Sequence, residues 1–150
     1  MSFDLNFRLM KKDIPALCRL SMQPDFPYPI DKETALTYCS GGTVQTYGIR
    51  YGTDLISVMT ATFCMVFPSK DSPSGKIVQI SGAYTRPDFR GKGYATKLLE
   101  LIEQNAIAFG ADYLCLDSTA DELYLKNGFV AAPDSESRLW KRLSKPDMEV

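Results

Sequence analysis

The sequence contains no histidine, and this absence excludes more chemistry than any other feature of its composition. It removes histidine general bases, Ser-His and Cys-His catalytic pairs, and metal sites with imidazole ligands. The four cysteines form no C-x-x-C pair, although zinc sites and dithiol redox sites normally need close pairing. We therefore expect no metal cofactor. The cysteines are Cys18, Cys39, Cys64 and Cys115.

An excess of positive charge is also missing. Lysine and arginine number 17 against 18 aspartate and glutamate residues, which gives a formal net charge of -1. A protein that binds duplex nucleic acid usually carries a clear basic excess. We therefore expect no nucleic-acid partner.

Long hydrophobic runs are absent as well. The first twenty residues carry several charges and lack the apolar core of a signal peptide. The most apolar stretch, 55–67, is interrupted by Ser57, Thr60 and Thr62 and falls short of the roughly 20 residues that span a bilayer. We expect no membrane partner and a cytoplasmic location.

The 150 residues, of which 45% are apolar, suffice for one domain with a real hydrophobic core. No repeat or linker divides them, so we expect residues 1–150 to form a single domain. Periodicity predicts an α/β fold, in which helices flank a mixed, mainly antiparallel central sheet. The predicted strands are 5–10, 44–51, 55–67, 76–85, 113–116, 130–132 and 138–143. The predicted helices are 13–20, 31–38, 95–109 and a short one that a Ser118-x-x-Asp121 capping box opens and Gly128 closes.

A glycine-rich loop separates the strand 76–85 from the helix 95–109. The first amides of a helix lack intrahelical partners, and the helix dipole places partial positive charge at the same point. Gly91 and Gly93 permit close approach of an anion to the backbone, and Arg90 and Lys92 add charge at the rim. Together these features predict a cradle for a pyrophosphate.

Two familiar phosphate-binding patterns do not fit this loop. The P-loop pattern G-x-x-x-x-G-K-[ST] is absent, because Tyr94 and Ala95 interrupt it. The dinucleotide pattern G-x-G-x-x-G is half met, with Thr96 at the position of the third glycine. The dinucleotide pattern also follows the first strand of a parallel βαβ unit, whereas three predicted antiparallel strands precede this loop.

The pattern [QR]-x-x-G-x-[GA] is met by Arg90, Gly93 and Ala95 within Pro87-Asp88-Phe89-Arg90-Gly91-Lys92-Gly93. Farther along, Tyr124-x-Lys126-x-Gly128-Phe129 supplies a second motif, and Phe7-Arg8 with Asp13-Ile14 begins the chain in the corresponding way. In these motifs and their order the chain resembles the GNAT superfamily of N-acetyltransferases. The resemblance implies a GNAT-like acyl-CoA N-acyltransferase fold, with acetyl-CoA as co-substrate.

The resemblance also implies roles for individual positions. The end of the strand 76–85 would pair with the pantetheine arm through its backbone and polarise the thioester carbonyl. Asp117 stands where many members have an asparagine that contacts this arm. The residues implied in cofactor binding are Ala83, Tyr84, Thr85, Arg90, Gly91, Lys92, Gly93, Tyr94, Ala95 and Asp117.

Tyr124 is the predicted general acid, because a phenol can donate a proton to the departing thiolate at neutral pH. The expected reaction is direct acetyl transfer to a primary amine in a ternary complex. Without a histidine to activate it, Cys115 is expected to be a packing residue rather than an acyl carrier. The alternative function is an acyl-CoA-binding regulatory module without catalytic activity.

The amine end of the site is less well defined by the sequence. For the general base, Asp25, Asp117, Glu136 and a chain of water molecules remain open. The acceptor, a small-molecule or peptide amine, is expected opposite the cofactor, between the loop 23–30 and the final hairpin. Monomer and homodimer are both compatible with the sequence.

Overall fold

The computed structural model describes residues 3–118, 121–133 and 137–144. Apart from two 3₁₀ turns, eleven helices and strands follow one another within the described residues. They are β1 Phe3–Arg8, α1 Ile14–Leu20, α2 Lys32–Cys39, β2 Val44–Tyr51, β3 Asp54–Met65, β4 Lys76–Thr85, α3 Tyr94–Phe109, β5 Tyr113–Leu116, α4 Glu122–Leu125, β6 Val130–Ala131 and β7 Leu139–Arg142.

The strands form one seven-stranded sheet in the order β1-β2-β3-β4-β5-β7-β6. Every neighbouring pair is antiparallel except β4 and β5, which are parallel and joined through α3. A parallel pair needs such a crossover, and the helical period of 95–109 supplies it. The predicted mixed, mainly antiparallel sheet flanked by helices is therefore confirmed.

The sheet buries apolar side chains on both faces. On one face α3 packs Leu98 and Ile102 against the sheet, in a cluster that includes Ile56 of β3. On the other face α1 and α2 cover Leu55 and Val58 of the same strand. Alternating side chains of β3 thus reach two separate cores, which explains the nearly continuous apolar sequence of this strand.

The structure differs from the predicted boundaries at two informative places. β3 ends at Met65 rather than residue 67, because β4 begins at Lys76 directly opposite Met65, and past this pair the strand ladder continues only through the Val66 amide, which donates to the Gly75 carbonyl at 2.7 Å. The short helix α4 is capped by Asp121, whose carboxylate accepts from the Leu123 amide at 3.0 Å, so the predicted cap at Ser118 is wrong. The turn of the final hairpin, residues 134–136, lies outside the described residues.

Candidate active site

The most irregular point of the sheet lies in β4. Val58 of β3 pairs with Tyr84 and Thr60 pairs with Ser81, so that two residues of β4 stand opposite one residue of β3. This bulge contains Gly82, whose φ of 60° is left-handed. A bulge turns local backbone groups out of the ladder. Residues 81–83 are accordingly exposed, although both neighbouring stretches of the strand are largely buried.

β4 also separates from its parallel neighbour. The two strands pair only at Val78–Leu114 and Gln79–Cys115, whereas β4 continues to Thr85. Beyond Gln79 no strand of the described chain pairs with this edge of β4. Apart from the Thr85 carbonyl, which accepts from Arg90, backbone groups there can pair with an extended ligand, which is the role expected for Ala83 to Thr85.

The loop after β4 leads into α3 through two glycines with left-handed backbone. Gly91 has a φ of 75° and Gly93 a φ of 84°. A Cβ atom added to either glycine would meet no protein atom within 4 Å, so it is the backbone conformation rather than crowding that requires glycine. The helical ladder begins with Lys97, whose amide donates to the Gly93 carbonyl at 3.1 Å. The amides of Ala95 and Thr96 therefore precede the ladder.

A cavity of about 250 Å³ lies against this loop. Gly91, Gly93 and Ala95 form one wall, and Leu123 and Lys126 of the α4 region form another. The two sequence motifs, more than 25 positions apart, thus meet at one site. Lys126 received no role from the sequence, although it stands inside the second motif. We call this space the cofactor cavity.

Tyr124 lies on α4 next to Leu123, which lines the cofactor cavity, and its side chain is buried. The side chain is 3% exposed and meets the Phe129 ring edge-on, with 5.4 Å between ring centroids. Burial raises the pKa of Tyr124 to about 12. No described residue shares a hydrogen bond with its hydroxyl group. The wall of the cavity on this side is formed by Leu123 and Lys126 rather than by Tyr124 itself.

Asp117, at the end of β5, is not brought to the glycine loop. Its carboxylate lies 3.4 Å from Nε of Arg138, which precedes β7. Asp117 lines neither the cofactor cavity nor the acceptor cavity described next. Its predicted contact with the cofactor arm stays a prediction.

A second cavity, of about 260 Å³, lies between the sheet and the segment that joins α1 to α2. Phe26 and Ile30 form one wall, and residues 81–84 of the bulged strand form the opposite wall. The expected loop 23–30 contributes, but α2 and β3 complete the cavity where the final hairpin was expected. The described strands of the hairpin, β6 and β7, lie beyond β5 in the sheet and do not line this cavity. We call this space the acceptor cavity.

Three polar side chains connect the walls of the two cavities. Asp25 accepts a hydrogen bond from the Tyr84 hydroxyl on one carboxylate oxygen and from Arg90 on the other, each at 2.5 Å. Arg90 also donates to the Thr85 carbonyl at 2.8 Å. These contacts join residues 59 and 65 positions apart, so no local sequence signal could reveal them.

The same contacts determine the acid–base properties of the group. Hydrogen bonds from Tyr84 and Arg90 hold the pKa of Asp25 below its ordinary value. Burial and the neighbouring Asp25 carboxylate raise the pKa of Tyr84 to about 12. Asp25 is therefore a weaker base than an ordinary carboxylate. Glu136, another candidate base, lies outside the described residues.

Cys115 lies on β5 at the point where the two parallel strands separate. Its side chain is buried, and burial raises the pKa of the thiol to about 11. A thiol of this pKa is almost fully protonated near neutrality, whereas a nucleophilic cysteine must be a thiolate. The geometry thus supports the packing role expected for Cys115.

The chain matches the family model of the "Acetyltransferase (GNAT) family" over residues 14–129. This match covers most of the sequence, and the chain belongs to that family. A sequence search of curated proteins gives no match.

Solved structures share the fold at low sequence identity. A predicted acetyltransferase of Clostridium acetobutylicum with acetyl-CoA has a TM-score of 0.70 at 19% identity, covering 89% of this chain and 94% of its own. The ribosomal-protein-S18-alanine N-acetyltransferase of Escherichia coli has a TM-score of 0.67 at 16% identity, covering 99% of both chains. A Thermoplasma acidophilum PaiA N-acetyltransferase in complex with coenzyme A has a TM-score of 0.67 at 15% identity, covering 95% of this chain and 99% of its own.

Within the described ranges, no three histidine, cysteine, aspartate or glutamate side chains cluster in a way that would hold a metal ion. Among the helices described, none has the length and apolar content needed to cross a bilayer.

Proposed function

We propose that this chain transfers the acetyl group of acetyl-CoA to a primary amine by direct attack within a ternary complex. One observation carries the proposal: the end of β4 borders both cavities. Residues 81–84 line the acceptor cavity, and the next residue, Thr85, lines the cofactor cavity. A thioester held along this strand would meet an amine from the other side.

The residues present fit acetyl-CoA as a co-substrate. The glycine loop and the first amides of α3 would hold the pyrophosphate, and Lys126 would add positive charge from the opposite wall. The side chain of Arg90 is engaged by Asp25 and by the Thr85 carbonyl, so Arg90 contributes its backbone to the cradle. The open edge of β4 would take the pantetheine arm, and the bulge would present N–H groups to the thioester oxygen.

The proposed reaction balances without another reactant. The lone pair of a neutral amine forms the new C–N bond, and the C–S bond of the thioester breaks. The sulfur takes one proton and leaves as the thiol, while the amine nitrogen loses one proton to solvent or to a base. The products are the N-acetyl amine and free coenzyme A.

We assign the proton donation to sulfur to Tyr124. Its pKa of about 12 keeps the phenol protonated through the whole neutral range. A thiol in water has a pKa of about 8.5, well below that of the phenol. Complete transfer therefore requires that burial raise the pKa of the departing thiol as it raises that of Tyr124. Before the proton is transferred, the phenol stabilises the developing thiolate by donating a hydrogen bond.

Asp25 is better suited to positioning than to proton abstraction. We expect Asp25→Asn to lower kcat by less than about threefold, whereas loss of a general base costs about 100-fold or more. The pKa of Asp25 is lowered from its ordinary value of 3.8, so its carboxyl group is ionised throughout the neutral pH range. The rate profile from pH 6 to 9 should keep its shape in the variant. A flattened profile together with a 100-fold loss would make Asp25 the base.

Direct attack predicts that Cys115 is dispensable for chemistry. We expect Cys115→Ala to retain at least half of the turnover, because the buried thiol is protonated near neutrality. Mass spectrometry of the native chain incubated with acetyl-CoA alone should show no added acetyl group on this residue. An acetylated Cys115 that an added amine discharges would replace direct attack with a two-step route.

A thiol-release screen tests the proposed function. Acetyl-CoA is incubated with the chain and a broad panel of amines, and free coenzyme A is measured over the rate without protein. We expect at least one primary amine to yield stoichiometric coenzyme A and N-acetyl product. Binding of acetyl-CoA without turnover on any amine would favour the regulatory module that binds acyl-CoA.

A further inference from the structure

The acceptor cavity differs from an ordinary site for a polycation in one respect. Of the residues that line it within the described chain, none carries a charged side chain. Its floor contains Leu17 and Val58, which are each 3% exposed. Along one side the rings of Phe26 and Tyr84 meet edge to face, with 4.8 Å between their centroids. The body of a bound molecule would therefore contact apolar and aromatic groups.

Several polar groups in this cavity are already hydrogen-bonded, and others are exposed to solvent. The hydroxyls of Thr46 and Thr60 are 2.8 Å apart and hydrogen-bond to each other. The Tyr84 hydroxyl donates to Asp25, and that carboxylate is shared with Arg90. Ser81 and Thr34 are exposed. A cationic group placed deep in the cavity would lose its hydration and gain no carboxylate.

We infer that the acceptor is a small primary amine on an apolar or aromatic body, such as an arylalkylamine, and not a polyamine. This inference rests on the proposed function, because it takes the bulged strand to be the place of the thioester. The amino group would lie at residues 81–83, and the apolar body would fill the space between Phe26 and Val58. The volume of about 260 Å³ is slightly below the range of sites for drug-sized ligands, which suits one ring on a short tether.

The inference is tested with amines that differ in one group. Hexylamine and cadaverine have the same length, but cadaverine ends in an ammonium where hexylamine ends in a methyl group. We expect kcat/KM for hexylamine to exceed that for cadaverine on the order of 100-fold, with phenethylamine at least equal to hexylamine. Equal or better use of cadaverine would overturn the inference and leave the proposed function intact. Acetyl-CoA binding without turnover of any amine would overturn the proposed function itself.

A fourth amine separates a small molecule from a polypeptide. A short peptide with an N-terminal phenylalanine carries the same ring and a primary amine at a similar distance. We expect it to react no better than phenethylamine. Use of the peptide more than about tenfold better would assign the cavity to a polypeptide end and overturn the small-molecule assignment.

A charge placed in the wall tests where the body of the amine lies. Thr34 lines the cavity in the first turn of α2, where a glutamate suits the helix dipole and should not disturb folding. We expect Thr34→Glu to narrow the ratio of hexylamine to cadaverine by about tenfold. Thr37→Glu makes the same change on an exposed residue of α2 that does not line the cavity, and it should leave the ratio unchanged. An unchanged ratio in both variants would contradict the inference.

Discussion

Replacement of Gly93 by alanine is expected to weaken acetyl-CoA binding on the order of 100-fold. Gly93 lies at the start of α3 with a φ of 84°, and an added Cβ would meet no protein atom within 4 Å. The methyl group would instead project into space that the proposed pyrophosphate occupies, and the strained backbone would turn the nearby amides. Isothermal titration of the variant and the native chain with acetyl-CoA measures the effect.

Gly41→Ala is the matched control for this change. Gly41 has a φ of 75° and lies away from both cavities, near the side chain of Arg8. Each substitution should destabilise the folded chain by a similar amount, about 1–2 kcal/mol for an L-residue in the left-handed region. Both variants should lose similar stability in urea, but only Gly93→Ala should lose affinity. An equal loss of affinity in the two variants would mean that strain, and not the cradle, is responsible.

Tyr124→Phe is expected to lower turnover about 100-fold while leaving the fold and the acetyl-CoA affinity unchanged. The hydroxyl has no hydrogen-bond partner among the described residues, so its removal leaves no buried group unsatisfied. The ring keeps its edge-on contact with Phe129. Steady-state thiol release at saturating acetyl-CoA, together with the thermal unfolding midpoint, separates a catalytic role from a structural one.

Tyr47→Phe serves as the control for the loss of a buried phenol. Tyr47 is also 3% exposed, but its hydroxyl donates to Gln45 at 2.6 Å. Tyr47 lines neither the cofactor cavity nor the acceptor cavity. Loss of this hydroxyl should cost about 1 kcal/mol of stability and none of the turnover. Native turnover in Tyr124→Phe would reduce Tyr124 to a packing residue and leave the proton donor unassigned.

The parts of this fold that the sequence predicts well are those with strong local signals. β2, β4 and β5 have the predicted boundaries, because alternation or a short apolar run ends at clear turn residues. The long helix starts within one residue of its prediction, since glycines precede it and Gly110 follows it with a φ of 89°. The glycine loop also has a strong local signal, because the six consecutive residues 90–95 carry the whole pattern.

The parts that the sequence could not predict depend on contacts between distant residues. The bulge at Gly82 appears only when the register of β4 against β3 is known. The Asp25–Tyr84–Arg90 group joins a proline-rich loop to the cofactor loop. The acceptor was expected between the loop 23–30 and the final hairpin, whereas the described strands of that hairpin, β6 and β7, lie beyond β5 and do not line the acceptor cavity. Its lining comes from α1, the stretch 26–38 and the strands β2, β3 and β4, none of which is distinctive alone.

We propose above all that the loop from Arg90 to Ala95 holds the pyrophosphate of acetyl-CoA. The most direct measurement is isothermal titration of acetyl-CoA into the folded native chain, followed by competition with pyrophosphate-containing coenzyme A and with pantetheine, which lacks phosphates. We expect one site per chain, competition by coenzyme A and none by pantetheine at the same concentration. Absence of binding to the folded chain, or equal competition by pantetheine, would contradict it.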